Sequence, residues 1–241
     1  MRYAARSEQG KRIQNEDHLF IPTAPGDISL AVVADGMGGH NAGSTASALA
    51  VQVVVEELQK GGMGSPESLI LAALKKANAA VYAYSLQNAN CRGMGTTMVL
   101  AMAFKTRYVA ANIGDSRLYY FDGQTLTQIS EDHSYVAELV AAGQLTREQA
   151  MRHPRRNIIT RALGTRDQEK ADIFKGAWGP GDMLMLCTDG LFSVLDDRDM
   201  ARVLREEESI EAACDHLVEI ALYGGSTDNI SVVLVQNEEG K

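Results

Sequence analysis

The chain contains several short runs of apolar residues, each about as long as one strand. Three of these runs lead into an aspartate, directly or after one glycine: Ser29–Ala34 into Asp35, Tyr108–Ile113 into Asp115, and Met183–Thr188 into Asp189. A short apolar run bounded by turn residues is typical of a strand buried on both faces. Asp228 stands just before a further apolar stretch, Ile230–Val235. The pattern therefore predicts buried strands whose ends carry carboxylates.

Other segments have the apolar spacing of helices. Such spacing extends over Ala42–Leu58. A second helix is predicted from Ser65-Pro66-Glu67, with serine as N-cap and proline at the first position, to about Ser85. Its residues near one face are expected to be Leu69, Ala72, Ala73, Lys76 and Val81. Two further helices are predicted at about Asp197–Arg205 and Ser209–Tyr223.

The middle of the chain is rich in short strands separated by tight turns. The predicted strands are Thr97–Phe104, Tyr108–Asn112, Leu118–Phe121 and Thr125–Ile129. Consecutive strands joined in this way predict an antiparallel meander. The start of the chain, residues 2–22, is predicted to be an irregular opening followed by the strand His18–Ile21.

A polar, basic segment of about residues 130–165, here called the flap, separates two strand regions. Thr146–Gln149 fits a capping box within it. Its histidines and central arginines are His133, Arg152, His153, Arg155, Arg156 and Arg161. Polar insertions between strands are typical of functional loops, so we expect the flap to contact a substrate rather than to fill the core.

Strands near both ends of the chain, with helical pairs between them, predict a single domain over residues 1–241, with a core of about residues 2–236. Layering rules favour antiparallel sheets covered by helices on the outside, which is an α+β arrangement.

The amino-acid composition indicates which binding partners and which cellular location to expect. The 241 residues are 45% hydrophobic and carry a formal net charge of −8, so nucleic acid and anionic membranes are not expected partners. No apolar run is long enough to span a membrane, and the N-terminus lacks the apolar core of a signal peptide. Cys91, Cys187 and Cys214 are widely spaced and predict no disulfide framework. A cytoplasmic location is expected.

The acidic residues indicate a site for hard cations. Acids at the edges of apolar strands are unfavourable unless they are paired, hydrogen-bonded or metal-bound. Oxygen ligands favour Mg²⁺ or Mn²⁺ over Zn²⁺. The candidates exceed what one ion needs, so we infer two or more ions that share a bridging carboxylate and a readily deprotonated bridging water. The candidate acids are Glu16, Asp17, Asp35, Asp115, Asp189 and Asp228.

Two of these interpretations have simple alternatives. Arg12, four residues before Glu16, offers a planar fork that suits a phosphate, but it could equally be a surface residue of an exposed loop. Asp115 could be a turn acid hydrogen-bonded to its neighbours Ser116 or Arg117.

Other catalytic machinery is not found in the sequence. A cysteine phosphatase needs an arginine six residues after its thiolate, and the three cysteines are followed there by Thr97, Ser193 and Ile220. The chain also has no Gly-x-Ser-x-Gly elbow and no phosphate-binding Gly-x-x-x-x-Gly-Lys-Ser/Thr loop.

Several ordered motifs resemble those of the metal-dependent protein phosphatases of type 2C (PPM), particularly the compact bacterial members. The resemblance covers about residues 2–236. The motifs are Arg12-x-x-Asn15-Glu16-Asp17, Asp35-Gly-Met-Gly-Gly-His40, Gly93-Met-Gly-Thr-Thr97, Gly114-Asp-Ser-Arg117, Asp132-His-Ser134, His153-Pro-x-Arg-Asn157, Arg161-Ala-Leu-Gly164, Asp189-Gly190 and Asp228-Asn229. Each is weak alone, but their order and spacing make coincidence implausible.

The resemblance implies a four-layer α-β-β-α sandwich, in which two antiparallel sheets are flanked by helix pairs and the metals lie at one end. It implies hydrolysis of phosphoserine and phosphothreonine in proteins at a binuclear Mn²⁺ or Mg²⁺ centre. The phosphatase would oppose a bacterial Ser/Thr kinase. Its substrates would be phosphorylated proteins, and that kinase would be one of them. The protein is expected to be a monomer.

The resemblance also implies residue roles. Asp35 would bridge two ions, the Gly36 carbonyl would bind one, and Asp189 and Asp228 would complete the first ion's shell. Asp17 and Glu16 would bind directly or through water, with Asn229 in support. Asp115, together with Asp189, would hold a third, weaker ion, and Arg12 would bind the substrate phosphate. These positions are read from the matching motifs.

One position departs from the pattern of many eukaryotic members. They carry a histidine two residues after the first aspartate of the Asp-Gly motif, as a candidate general acid. Here that position is Met37, and the nearest histidine is His40. The acid is then either His40 or a metal-bound water.

Two rival functions remain on the sequence alone. One is a non-catalytic phosphoprotein-binding domain of the same fold, which loss of Asp35, Asp189 or Asp228 would favour; all three are present. The other is a metal hydrolase of small phosphate esters, against which the extended basic flap argues.

Overall fold

The computed structural model describes residues 1–24, 26–39 and 41–238, and within them it contains eleven strands and seven α-helices. The strands are β1 (Arg2–Glu8), β2 (Asp17–Phe20), β3 (Leu30–Met37), β4 (Gly95–Thr96), β5 (Met98–Ala103), β6 (Arg107–Ile113), β7 (Arg117–Phe121), β8 (Leu126–Gln128), β9 (Asp172–Ala177), β10 (Met183–Cys187) and β11 (Ile230–Gln236). The helices are α1 (Ala42–Gln59), α2 (Pro66–Gln87), α3 (Tyr135–Ala141), α4 (Arg147–Met151), α5 (Asp189–Phe192), α6 (Asp197–Glu206) and α7 (Ile210–Tyr223). A short 3-10 helix spans Ala89–Cys91.

The strands form two antiparallel sheets that pack face to face. One sheet has the order β1-β11-β10-β7-β8, and the other has the order β2-β3-β5-β6-β9, with β4 paired to β3. Small and branched residues such as Ala31, Val99 and Val233 fill the space between the sheets. Because the inner strands are covered on both faces, they read as continuous apolar runs.

Helices cover the outer face of each sheet. Helices α1 and α2 enclose a second apolar core with the β3 sheet, around Val54, Ile70 and Leu100. Helices α6 and α7 enclose a third with the β11 sheet, around Leu204, Leu217 and Leu234. The result is the predicted α-β-β-α sandwich. Among the helices of the described residues, none has both the length and the apolar character that a membrane-crossing helix needs.

The capping residues in the sequence predicted the first residues of α2 and α4 correctly. Ser65 accepts a hydrogen bond from the Ser68 amide at the start of α2, and Thr146 with Gln149 forms the predicted capping box of α4. The predicted face of α2 was right in part: Ala73 and Val81 are buried and Leu69 packs against the core. Ala72 and Lys76 are exposed, and Asn78 is buried. The Asn78 amide is held by the backbone of residues 164–167, far away in sequence, so helical periodicity could not reveal it.

Three strand predictions need correction. Residues 2–8 form β1, a strand at the sheet edge that pairs with β11, where an irregular opening was expected. Strand β9 was missed; it too is an edge strand and is only partly buried. The predicted meander is two hairpin-like pairs, because the chain leaves β6 at Gly114 and enters β7 in the other sheet. Gly114 has φ +106°, a value that glycine adopts readily.

Candidate metal and phosphate site

Five aspartates lie at the same end of the sandwich, where the strands of both sheets begin or end. Asp17 opens β2 and is the register partner of Asp35 in β3. Asp189 begins α5 directly after β10, and Asp228 immediately precedes the β11 region. Asp115 lies where the chain crosses from one sheet to the other. The fold therefore gathers acids that are more than two hundred residues apart in sequence.

The environment of Asp35 differs from the sequence expectation. Strand β3 continues through Asp35 and Gly36 to Met37, because β4 pairs with its last two residues. The Asp35 backbone is fixed on both sides: its amide donates to Thr97 Oγ1 at 2.9 Å, and its carbonyl accepts from the Thr97 amide at 2.8 Å. Asp35 thus lies within the strand, two residues before its end, and not at the strand end that the sequence predicted.

Asp17 and Asp189 each keep one buried oxygen without a hydrogen-bond partner in the described residues. Thr188 Oγ1 donates to Asp17 Oδ2 at 2.9 Å, but Asp17 Oδ1 is unsatisfied, and so is Asp189 Oδ1. An unsatisfied buried polar atom is unfavourable unless another group completes it. Hard, anionic oxygens in this state suit Mg²⁺ or Mn²⁺, so the residues present fit divalent cations.

The carboxylates perturb each other's protonation. Burial raises the pKa of Asp17 to about 7, and the charges of Asp189 and Asp228 add to the effect. Burial raises the pKa of Asp189 to about 6, with Asp228 contributing. The pKa of Asp35 is raised well above its ordinary value by burial and then by Asp17 and Asp189. In the described residues the acids therefore outnumber the positive charges near them, and bound cations would favour the ionised form of the carboxylates.

Arg12 reaches this cluster from the loop before β2. Its Nη2 lies 2.6 Å from Asp228 Oδ2. Burial lowers the pKa of Arg12, but Asp228, Asp189 and Asp35 raise it overall. Among the described residues, no three His, Cys, Asp or Glu side chains stand in an arrangement that could hold an ion unchanged. Some of these side chains would therefore have to move before the site could hold an ion. Asp228 is the candidate ligand that contacts Arg12 in this arrangement.

Asn229 holds the loop that carries Arg12 and Glu16. Its side-chain Nδ2 donates to the carbonyls of Gln9 at 2.8 Å and Gln14 at 3.0 Å, and its Oδ1 accepts from the Glu16 amide at 2.9 Å. One amide side chain thus makes three hydrogen bonds to a single loop. The sequence placed Asn229 in support of the site, and the structure gives the contacts by which it fixes the loop.

Gly36 and Glu16 meet the first turn of α1. A Cβ on Gly36 would lie 2.1 Å from the Gly43 carbonyl oxygen, so only glycine allows this approach. The Glu16 carboxyl lies against Gly43. Burial raises the pKa of Glu16, whereas Arg12 and the amides of Ser44 and Gly43 lower it. Glu16 therefore faces the positive end of α1 as well as the acid cluster.

Asp115 is nearly fully buried, and its expected turn partners are engaged elsewhere. Ser116 Oγ contacts Thr97 Oγ1 at 2.7 Å, and Arg117 binds Asp132. Burial raises the pKa of Asp115 to about 7, and Asp189 and Asp132 add to the effect. The charge of Arg117 and a local backbone hydrogen bond lower the pKa of Asp115, but by less than burial raises it. The hydrogen bonds of the described residues include none from the Ser116 or Arg117 side chain to the Asp115 carboxylate.

Arg117, which from the sequence was only a possible hydrogen-bond partner of Asp115, has a structural role. Its guanidinium bonds both oxygens of Asp132 and lies 3.7 Å from the centroid of the Phe192 ring. Phe192 ends α5, the helix that begins with Asp189. Arg117 therefore links the turn of Asp115 to the helix of Asp189. The available signal was an arginine two residues after a candidate ligand.

The flap is attached to the site at both of its ends. Near its start, His133 donates its backbone amide to the Gly114 carbonyl at 2.9 Å and accepts the Gly114 amide at Nδ1 at 3.1 Å. His133 Nε2 faces Asp172 Oδ2 at 3.0 Å. Near its end, Leu163 pairs with Thr96, a neighbour of Gly36. The flap is consequently fixed beside Asp115 and beside Gly36.

The candidate acid His40 lies outside the described residues. Met37 is the last residue of β3 and is partly buried. Its thioether has no proton to give.

Comparison with known proteins places this geometry in a family. The family model described as protein phosphatase 2C matches residues 5–220. The serine/threonine phosphatase stp of Listeria welshimeri is 35% identical over 236 residues, which cover 96% of this chain and 94% of that protein. The crystal structure of serine/threonine phosphatase Stp1 from Staphylococcus aureus superposes with a TM-score of 0.92 at 35% identity, covering 99% of this chain and 95% of that one.

A second solved structure bears on the metals. The catalytic domain of the serine/threonine protein phosphatase PstP, in complex with two manganese ions, has a TM-score of 0.87 and 33% identity to this chain, with 98% and 97% of the two chains covered. The ordered motifs, the two-sheet sandwich and these matches agree. The chain therefore belongs to the protein phosphatase 2C family of bacterial serine/threonine phosphatases.

Proposed function

We propose that this chain hydrolyses phosphoserine and phosphothreonine in proteins with two tightly bound Mn²⁺ or Mg²⁺ ions and a weaker third. The observation that carries the proposal is the pair of buried, unsatisfied carboxylate oxygens, Asp17 Oδ1 and Asp189 Oδ1, inside a group of like charges. The proposed ligands of the two tight ions are Asp17, Asp35, the Gly36 carbonyl, Asp189 and Asp228, with Asp115 and Asp189 for the third.

Bound divalent cations would supply positive charge for a phosphate and a water of lowered pKa. Other residues of the chain hold the candidate ligands and the Arg12 loop in position. Thr96 and Thr97 fix the Asp35 backbone, and Thr188 orients Asp17. Asn229 fixes the loop of Arg12, whose guanidinium is the candidate group to bind the phosphate.

The group that donates a proton to the leaving oxygen has two candidates. Met37 occupies the position at which, by the family resemblance, many eukaryotic members carry histidine. His40 is the candidate side chain for this role, and a water on the weaker ion is the alternative.

We further infer that the substrates are phosphoproteins, including a Ser/Thr kinase, and that the chain works in the cytoplasm as a monomeric single domain. The net charge of −8 and the widely spaced cysteines support this setting.

The test of the function compares three substrates in the presence of Mn²⁺ or Mg²⁺: a phosphothreonine peptide, a phosphoserine peptide and a small aryl phosphate. We expect kcat/KM to be higher for the phosphopeptides. A clear preference for the small ester would instead identify a hydrolase of small metabolites. Tight phosphopeptide binding without any turnover would identify a binding domain.

Substitution of Arg12 tests phosphate binding. Arg12→Ala removes a charge-assisted contact, so we expect kcat/KM to fall roughly ten- to a hundred-fold, equivalent to about 1.5–3 kcal/mol. Metal affinity should not fall, because Arg12 competes with cations for Asp228. Steady-state kinetics and Mn²⁺ titration calorimetry measure the two quantities. Lys11→Ala, at the exposed neighbouring residue, is the matched control. A large loss of Mn²⁺ affinity with normal kinetics would make Arg12 structural.

Substitution of Asp115 tests the third ion. Asp115→Ala should fold and keep two tight ions, because Asp17, Asp35, Asp189 and Asp228 remain. Turnover should fall sharply, since an exposed ion with few protein ligands keeps waters that can donate a proton. Binding of a phosphopeptide should survive better than its hydrolysis.

The readouts for Asp115→Ala are the number of Mn²⁺ ions by calorimetry, the thermal stability and single-turnover kinetics. Wild-type turnover in the variant would refute the role, and so would the loss of the two tight ions.

A further inference from the structure

The second half of the flap, together with the next residue, concentrates positive charge on an acidic protein. Residues 147–166 contain six arginines and a single acid, Glu148, whereas the whole chain has a net charge of −8. Arg161 pairs with Asp172, and Arg166 pairs with Glu169. In the described residues, the exposed arginines of this segment that form no ion pair are Arg147, Arg152, Arg155 and Arg156.

Arg155 contacts the flap's attachment beside Asp115, and Arg152 and Arg156 are its near neighbours in sequence. Arg155 lies over the ring of Tyr135, with its guanidinium carbon 5.8 Å from the ring centroid. The Tyr135 amide donates to the Ile158 carbonyl at 2.8 Å, which fixes the segment 152–158 against the start of α3. Tyr135 is two residues from His133, which is bonded to Gly114. Two extended residues span only about 7 Å, so this basic segment stands next to the site end of the sandwich.

Exposed arginines that form no ion pair can bind anionic groups of a substrate. The planar guanidinium binds carboxylate and phosphate oxygens through paired hydrogen bonds. The three exposed guanidinium groups of Arg152, Arg155 and Arg156 lie within five residues of sequence, and their charges repel one another unless an anion lies between them. A substrate phosphate bound by Arg12 and by cations held at the acid cluster would be a separate group, so the basic segment is free to bind another anion.

We propose that Arg152, Arg155 and Arg156 bind a second anionic group of the substrate, near the phosphorylated residue that is hydrolysed. This inference rests on the proposed function. The second group is either another phosphate or an acidic side chain, which share the same oxygen chemistry. The preferred substrates are therefore multiply phosphorylated or acidic segments.

The experiment measures kcat/KM for four peptides that differ only beside one phosphothreonine: neutral, glutamate-containing, doubly phosphorylated and lysine-containing. We expect the wild-type protein to favour an anionic peptide over the neutral one by about tenfold, the effect of one charge-assisted contact. Preference for the doubly phosphorylated peptide alone identifies phosphate as the second group. Preference for both anionic peptides identifies any acidic neighbour.

The decisive comparison is between two triple variants with the same change in net charge. In Arg152→Gln/Arg155→Gln/Arg156→Gln, the ratio of kcat/KM for anionic and neutral peptides should collapse to near one. In Arg198→Gln/Arg202→Gln/Arg205→Gln, on the exposed side of α6, the ratio should stay at its wild-type value. The same ratio in wild type should decline with rising salt.

Three outcomes would overturn the inference: no wild-type preference among the peptides, an unchanged ratio in the flap variant, or equal loss in both triple variants. If the flap variant unfolds, Arg152→Gln/Arg156→Gln leaves the Arg155–Tyr135 contact in place and serves instead. Failure of the proposed function is distinguishable, because then none of the four peptides is hydrolysed. Hydrolysis of all four at equal rates rejects only the second anion site.

Discussion

Removal of divalent cations with excess EDTA is expected to stop phosphopeptide hydrolysis completely and to lower the melting temperature. The buried acids repel one another, and within the described residues they have little positive charge beyond Arg12 to offset this. Cations that bind the native state alone stabilise it by about 2.7 kcal/mol at one hundred times Kd, which is roughly 5–10 °C for a chain of this size. Kinetics and calorimetric unfolding measure the two effects.

Re-addition of Mn²⁺ to the EDTA-treated protein should restore both activity and melting temperature. Zn²⁺ at the same concentration serves as the control, since oxygen ligands without His or Cys suit it poorly. Full turnover in excess EDTA would reject the metal-dependent mechanism outright.

Asp35→Asn is expected to reduce kcat by orders of magnitude while making the protein without metal more stable. Asparagine has the same shape but cannot serve as an ionised ligand between two ions. Burial, Asp17 and Asp189 raise the pKa of Asp35, which means that its charge is unfavourable in the folded chain. Each kcal/mol gained by removing that charge should raise the melting temperature by about 2–4 °C.

The matched control for this variant is Asp167→Asn, which makes the same charge change at an exposed position. The control should keep wild-type turnover, and its melting temperature should still rise with Mn²⁺. Asp35→Asn should lose most of that Mn²⁺-dependent rise. Near-normal turnover of Asp35→Asn, or an undiminished Mn²⁺ response, would contradict the role assigned to Asp35.

The sequence was informative wherever a physical constraint acts over a short distance. Runs buried on both faces located β3, β6 and β10, and the acids beside them are those that the fold gathers. Side-chain caps located the start of α2 because Ser65 needs only its own neighbours to act.

Features set by distant partners were missed. Strand β1 lacks an apolar run because an edge strand needs only one partner, β11, and that partner lies at the other end of the chain. The switch between sheets at Gly114 depends on which strands lie alongside β6 and β7, and adjacency in sequence suggested the wrong neighbours. The flap attachment through His133 required the same knowledge, since its partner Gly114 is nineteen residues away.

The hydrogen bonds of Asn229 determine when, during synthesis, the loop that carries Arg12 can become ordered. They join residue 229 to Gln9, Gln14 and Glu16, across sequence separations of 213 to 220 residues. Contacts of such separation form late and slowly, because the intervening chain must first be confined. During synthesis, the loop that carries Arg12 lacks its hydrogen bonds to Asn229 until the segment that becomes β11 has left the ribosome. A nascent chain is therefore expected to have no phosphatase activity until synthesis has passed that strand, which keeps incomplete copies from acting on phosphoproteins.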